Sequence, residues 1–395
     1  SRIPMAQEYY PAVEEQKLYN QISEYLRRDD SYGLPTSQRQ LITLIFRKLM
    51  SSSTFAIGYT LKTLIDRLQT KIAPYSADKQ QGWYGEDGKI AMVAEDMLGD
   101  DWDEWNEQDE NGQEGEILTP DEIESIKDEI KELQRLCDLA NSISSNKKGD
   151  CLLSALHTGF QKMEELEANR KALIFTESTR TQLYLKQLLE ENGYMGKIVL
   201  FNGSNNDETS RKIYKAWKER NIGTSAFTPS LSANKRQAIV DYFRDEAEIM
   251  IATEAASEGV NLQFCSLIVN YDLPWNPQRV EQRIGRCHRY GLKNDVVVFN
   301  FINKANAADV RVFQLLSEKF HLFDGVFGSS DEVLGSIESG VDFEKRMLNI
   351  YQQCRTPEEI NAAFDQIQQE MDASIKATMQ DTRKQLLENF DEYVL

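Results

Sequence analysis

From Ile249 to Leu292 the chain reads IMIATEAASEGVNLQFCSLIVNYDLPWNPQRVEQRIGRCHRYGL. Two short apolar runs, 249–252 and 267–270, are bounded by polar loops marked with Gly or Pro, the signature of buried strands in a parallel sheet. After each run the chain turns polar, at the edge where such a sheet presents its ligand-binding loops. A helix follows that carries Arg279, Gln282, Arg283, Arg286 and Arg289. Gln282, Arg286 and Arg289 stand at i, i+4 and i+7 and so share one helical face. Guanidinium is planar, permanently charged and a fork donor, which suits the oxygens of a polyphosphate.

The same alternation extends on both sides. KALIFTEST, KIVLFNGS and VVVFNFI read as strands, and helical patterns cover 182–191, 209–220 and 234–244. Strands alternating with helices imply right-handed βαβ units, hence an α/β fold with a parallel sheet and helices on both faces. The N-terminal residues begin extended and then turn helical. Stripes at Leu18, Ile22, Tyr25 and Leu26, at Leu41, Leu44, Ile45 and Leu49, and at Leu61, Leu64, Ile65 and Leu68 are core-packing faces. Thr119-Pro120 opens a long amphipathic helix. Lys147-Lys148-Gly149-Asp150 reads as a break before a helix over 151–167. The expected division is a helical region 1–168, an α/β lobe 169–325 and a helical C-terminal extension 326–395.

The net charge of −19 argues, taken alone, against a nucleic-acid binder. The excess is concentrated: Glu86–Glu116 holds thirteen acids against Lys89 alone. This insertion, near 82–116, reads as a solvated segment, and Trp83, Trp102 and Trp105 make a docking site for a protein partner the sharper alternative. No apolar run reaches the roughly 18–20 residues of a membrane span. The five cysteines are scattered without a C-x-x-C and the three histidines are dispersed, so no metal site and reduced, cytoplasmic thiols are expected.

QRIGRCHR resembles the Q-x-x-G-R-x-x-R motif of superfamily-two helicase-like ATPases, and TEAASEGVNLQ resembles the motif that precedes it. YDLPWNPQRVEQRIGR is similar to the Swi/Snf-type branch, with bacterial RapA-like members the nearest in pattern. The likeness runs over roughly 170–323 and implies the second RecA-like lobe of a double-stranded-DNA translocase that uses ATP and Mg²⁺. It implies Arg286 and Arg289 as arginine fingers, with Gln282 fixing their geometry. It places Glu258, Gly259 and Asn261 on a nucleotide-side loop, and Thr176, Ser178, Gly203, Ser204 and Thr253 along one DNA strand. For the Ser and Thr residues helix capping is the alternative. Glu254 departs from the pattern, where Asp is commoner. Arg279 and Arg283 are open between a role in the site and a salt bridge, and Trp275 is expected to pack the loop ahead of the arginine helix.

No G-x-x-x-x-G-K-[ST] phosphate loop is present, and no Asp-Glu pair ends a strand. The resemblance therefore implies that ATP and Mg²⁺ are held mainly by an N-terminal RecA-like lobe outside these residues, and that this chain alone hydrolyses no ATP. A non-catalytic acidic scaffold is the competing expectation; it has no need of three phased polyphosphate-type side chains.

Overall fold

The computed structural model describes residues 1–34, 36, 39–75, 97, 117–254, 259–288, 294–319, 321–323 and 339–392. The acidic insertion lies outside these residues, apart from Met97.

The chain opens with strand β1 (Arg2–Tyr9) and helices α1 (Val13–Arg27), α2 (Arg39–Ser52) and α3 (Thr54–Ile72). Helices α4 (Pro120–Ser142) and α5 (Lys147–Glu165) follow. Next come β2 (Ala172–Phe175), α6 (Thr179–Leu189), β3 (Ile198–Phe201), α7 (Glu208–Asn221), α8 (Leu231–Asp245) and β4 (Ile249–Ala252). The chain continues through β5 (Leu267–Asn270), the arginine helix α9 (Pro277–Cys287), β6 (Val296–Asn303) and α10 (Ala307–Gln314). Helices α11 (Gly340–Gln353) and α12 (Pro357–Glu392) complete it.

All six strands form one parallel sheet in the order β1-β6-β5-β2-β4-β3. Successive side chains of a strand point to opposite faces, and the two cores divide accordingly. Ala172 and Ile174 of β2 meet Leu152, Leu156, Phe160 and Met163 of α5 and Leu185 and Leu189 of α6. Leu173 and Phe175 face the opposite core, with Trp217, Ile239, Phe243, Val280 and Ile284. This is the RecA-like arrangement with helices on both faces.

Two segments ahead of residue 169 belong to this sheet. β1 pairs in parallel with β6, Arg2 opposite Val296 through Tyr9 opposite Asn303, and α5 covers one sheet face. α5 also starts earlier than its sequence pattern predicts. Lys147–Asp150 is its first turn rather than a break, with Asn146 at the cap position. Lys148 is in phase with the buried stripe, and Gly149 sits where a Cβ would lie 2.4 Å from the Tyr184 hydroxyl. The glycine is thus explained by close packing, not by chain reversal.

The helical region forms its own packed layer. Thr119 and Glu122 make a capping box at the start of α4, which satisfies two backbone donors reciprocally. α4 lies along α3 through Ile126, Leu133, Leu136 and Ala140. Glu129, buried, accepts from the Tyr25 hydroxyl at 2.7 Å and from the backbone of Tyr32 and Gly33 at 2.8 Å each.

Candidate functional site

In open α/β sheets ligands sit beyond the carboxyl ends of the strands, at the point where the chain's direction of winding reverses. Here that point lies between β2, which leads outward to β3, and β5, which leads the other way to β6. The position is filled by the protein's own side chains. Asp272, at the end of β5, accepts from Lys148 Nζ at 2.7 Å, Ser52 Oγ at 2.6 Å, Thr176 Oγ1 at 2.7 Å and the Glu177 backbone at 2.8 Å. Burial would raise this carboxyl, but Lys148 and the hydrogen bonds overcome it and hold the group below the usual carboxylate range. Beside it Lys48 reaches Glu344 at 3.0 Å and Glu177 at 3.4 Å. Burial pushes the Glu177 carboxyl up, with Lys48 opposing. These charges come from α2, α5, the ends of β2 and β5, and α11, and they lock those elements together.

The arginine helix is two-sided. Asn276 caps it by accepting from the Gln278 backbone, and Pro277 occupies the first turn, where its missing N–H costs nothing. Trp275 stacks on Tyr351 of α11 with ring centroids 4.7 Å apart, so it fixes the preceding loop as expected. On the inward side Arg283, about 1% exposed, is bound by the Glu254 carboxylate, Asn270 Oδ1 at 3.0 Å and the Asp272 carbonyl at 2.7 Å. Its guanidinium lies 4.7 Å from the Phe175 ring centroid. Arg279 reaches the other oxygen of Glu254 at 3.5 Å. One glutamate thereby serves two arginines, which settles Arg279 and Arg283 as internal ion-pair residues. Glu281, on another side of the helix, pairs with Arg2 of β1.

Gln282 and Arg286 face away from that core. Gln282 is exposed and Arg286 half-buried. The Arg286 Nε is shielded from solvent without a hydrogen-bond partner, and its backbone carbonyl accepts from Leu262 at 3.0 Å. That bond ties the C-terminal turn of the helix to the 259–265 loop. Gly259 adopts φ = +72°, a left-handed conformation that glycine tolerates. Asn261 caps the turn by accepting from the Gln263 backbone at 3.1 Å. Gly259 and Asn261 line a groove of about 640 Å³ with Arg236, Arg244, Gln237 and Phe264. The sequence reading did not single out Arg236 and Arg244; their helical positions on α8 gave no motif signal. Arg289 and Glu258 lie outside the described residues. His288, at the helix end, is held below its ordinary pKa by burial and by Arg2, so it is neutral at pH 7.

The five residues expected along DNA separate into two groups. Thr176 and Thr253 are fully buried; Thr176 donates to Asp272, and the Thr253 backbone donates to Phe201 at 3.0 Å. Ser178 caps α6 by accepting from the Arg180 backbone. Only Gly203 and Ser204 of the five are exposed.

Residues 148–291 match the model of the helicase conserved C-terminal domain. The chain is 33% identical over 232 residues to the uncharacterized ATP-dependent helicase YqhH of Bacillus subtilis, spanning 59% of this chain and 35% of that protein. It is 39% identical over 95 residues to the RNA polymerase-associated protein RapA of Vibrio cholerae, spanning 23% of this chain and 10% of RapA. The crystal structure of the C-terminal part of the Fun30 ATPase domain aligns with 18% identity and a TM-score of 0.38, over 90% of this chain and 99% of that one. Among the described residues no helix is long and apolar enough to cross a membrane. The chain thus spans about a third or less of the length of the curated relatives it matches, and residues 148–291 are a helicase conserved C-terminal domain of RecA-like fold, similar to those of ATP-dependent helicase-like proteins such as YqhH and RapA.

Proposed function

We propose that this lobe closes on ATP held by a phosphate-loop lobe outside these residues, and that the pair moves along double-stranded DNA. The observation that carries the reading is the division of labour within α9. Arg279 and Arg283 are consumed by Glu254, whereas Arg286 is half-buried and keeps a shielded Nε without an acceptor. A helix pinned by two arginines holds the third in a fixed position, so little reorganisation accompanies charge development on a phosphoryl group.

Bound ATP supplies the phosphoanhydride whose cleavage drives the motor. Arg286, together with Arg289, binds the transferring phosphoryl oxygens and offsets their charge; Gln282, on the face of Arg286, fixes that geometry. Gly259 and Asn261 approach the nucleotide from the loop tied to Arg286 through Leu262, which couples nucleotide state to helix position. The residues of this face present cationic and amide donors to anionic oxygens, and Mg²⁺ coordination is assigned to the phosphate-loop lobe. Gly203 and Ser204 contact the DNA backbone.

The test joins this chain to its phosphate-loop lobe in one polypeptide and measures duplex-stimulated ATP hydrolysis. Arg286→Ala lowers kcat by about 10³-fold, the scale of an arginine finger, with duplex affinity unchanged. Full turnover in that variant overturns the assignment.

A further inference from the structure

A cationic surface also stands apart from the motif loops, on α7. Residues 211–220, RKIYKAWKER, hold five cations and one acid in a chain whose net charge is −19. The rotation of this helix is fixed. Ser210, Ile213 and Trp217 are buried, and Trp217 donates its indole N–H to Asp241 of α8 at 2.8 Å. At about 100° per residue this places Arg211, Lys215 and Lys218 along one flank and Arg220 on the other.

The two flanks differ in electrostatics. On the outer crest, beside the exposed Glu219, Lys212 pairs with Glu208 at 2.7 Å, and on the far flank Arg220 shares a groove with Asp241, Asp245 and Glu246. On the opposite side Arg211, Lys215 and Lys218 are all exposed. Arg211 donates to the Asn206 carbonyl at 2.7 Å, and the Asn206 side chain accepts from Lys235 at the start of α8 at 2.8 Å. The flank is thus joined through Asn206 to Lys235 and to the loop that carries Gly203 and Ser204.

We propose that Arg211, Lys215 and Lys218, continued by Lys235, form a phosphate-tracking surface for duplex DNA that extends the strip at Gly203 and Ser204. The inference rests on the reading of the lobe as part of a duplex motor. From Arg211 to Lys218 the helix rises about 10 Å, and a duplex strand presents one phosphate per about 3.4 Å of axis. That length passes about three phosphates of one strand along the duplex axis, which the three long cationic side chains can share. No apolar anchor interrupts the flank within the helix, as the core of a protein-docking surface requires. Cations on phosphates position a duplex without reading its bases, which is what a motor that steps along any sequence needs.

The experiment measures binding of the full chain to a fluorescent 30-base-pair duplex of arbitrary sequence, by anisotropy over a salt series. Each phosphate contact contributes about 0.9 to the slope of log affinity against log salt. Replacing Arg211, Lys215 and Lys218 together with Gln lowers that slope by about 2–3 and weakens binding at low salt more than tenfold, equally for unrelated sequences. Lys212→Gln with Arg220→Gln, at the acid-neutralised positions, leaves the slope within about one. Equal effects of the two sets, or no effect of the triple replacement, overturn the surface. So does loss of binding to a peptide spanning residues 86–116 with duplex binding intact, which assigns the flank to an acidic polypeptide. Arg286→Ala serves as the separator. Lost ATP turnover in that variant of the joined protein, beside an unchanged slope in the triple variant, removes this surface and leaves the motor reading standing.

Discussion

Glu254 and Arg283 form a buried ion pair that ties the end of β4 to the middle of the arginine helix. Because the same carboxylate also reaches Arg279, the helix is held at two successive turns by one residue of the preceding motif. The longer side chain of Glu, where Asp is the commoner choice, gives the span to do this.

Glu254→Ala leaves two arginines buried without their acid. Breaking a buried pair in this way costs about 3–5 kcal/mol, which denaturant unfolding of the chain reads directly. Glu254→Asp reaches one arginine and loses about half as much. A stability unchanged by the alanine would remove the clamp from the account.

Gly340, at the start of α11, lies against the cap of the arginine helix: a Cβ there would fall 2.1 Å from Asn276 Oδ1. Gly340→Ala is expected to cost about 1–3 kcal/mol, as overpacking does. A lower Tm accompanied by a larger loss of ATP turnover than of duplex affinity, in the joined protein, checks that the displaced element is the arginine helix.

Lys48 neutralises Glu177 and Glu344 in a buried site. With Lys48→Met both carboxylates lose their cation, and the Glu177 carboxyl, already raised by burial with Lys48 opposing, rises further. A raised carboxyl pKa favours the folded state only where the group is protonated, so stability falls as pH rises through the unfolded and then the folded value. The deficit of the variant therefore grows as pH rises above the ordinary carboxylate range and shrinks as pH falls back toward it. A deficit independent of pH argues that Lys48 contributes packing alone.

Asp309 accepts from the Tyr351 hydroxyl, and burial pushes its carboxyl up to about 6. Ionised Asp309 accordingly opposes folding above that pH by about 3 kcal/mol, at 1.4 kcal/mol per unit. Relative to the unaltered chain, Asp309→Asn gains stability from about pH 4 to 6 and keeps the gain above it. Parallel stability curves for the two proteins would refute the assignment.

Sequence patterns resolved the central strands, because a fully buried strand is a continuous apolar run with polar ends. They resolved the arginine helix and the role of Trp275 for a similar reason: Pro, a cap residue and an in-phase face are local signals. β1 was legible only as extended chain. Its residues RIPMAQEY alternate weakly and include Pro4, and its partner β6 stands almost three hundred positions away. The fate of each arginine on α9 was hidden too, since Glu254 and Asn270 reach Arg283 through the fold and not through spacing. Thr176 illustrates the same limit. A hydroxyl past a strand end serves a ligand or an internal carboxylate equally well in sequence, and only the arrival of Ser52 and Lys148 at Asp272 decides it.

The pairing of β1 with β6 brings the first strand of the chain beside the last one of its sheet. Every intervening helix is thereby enclosed in a single closed loop of backbone. Peeling β1 away strips an edge strand of the sheet and releases Glu281 from Arg2, so loss of that strand is felt at once by the arginine helix. The helical layer and the sheet should therefore melt in one cooperative transition, with no stage at which the lobe persists while its first strand is free.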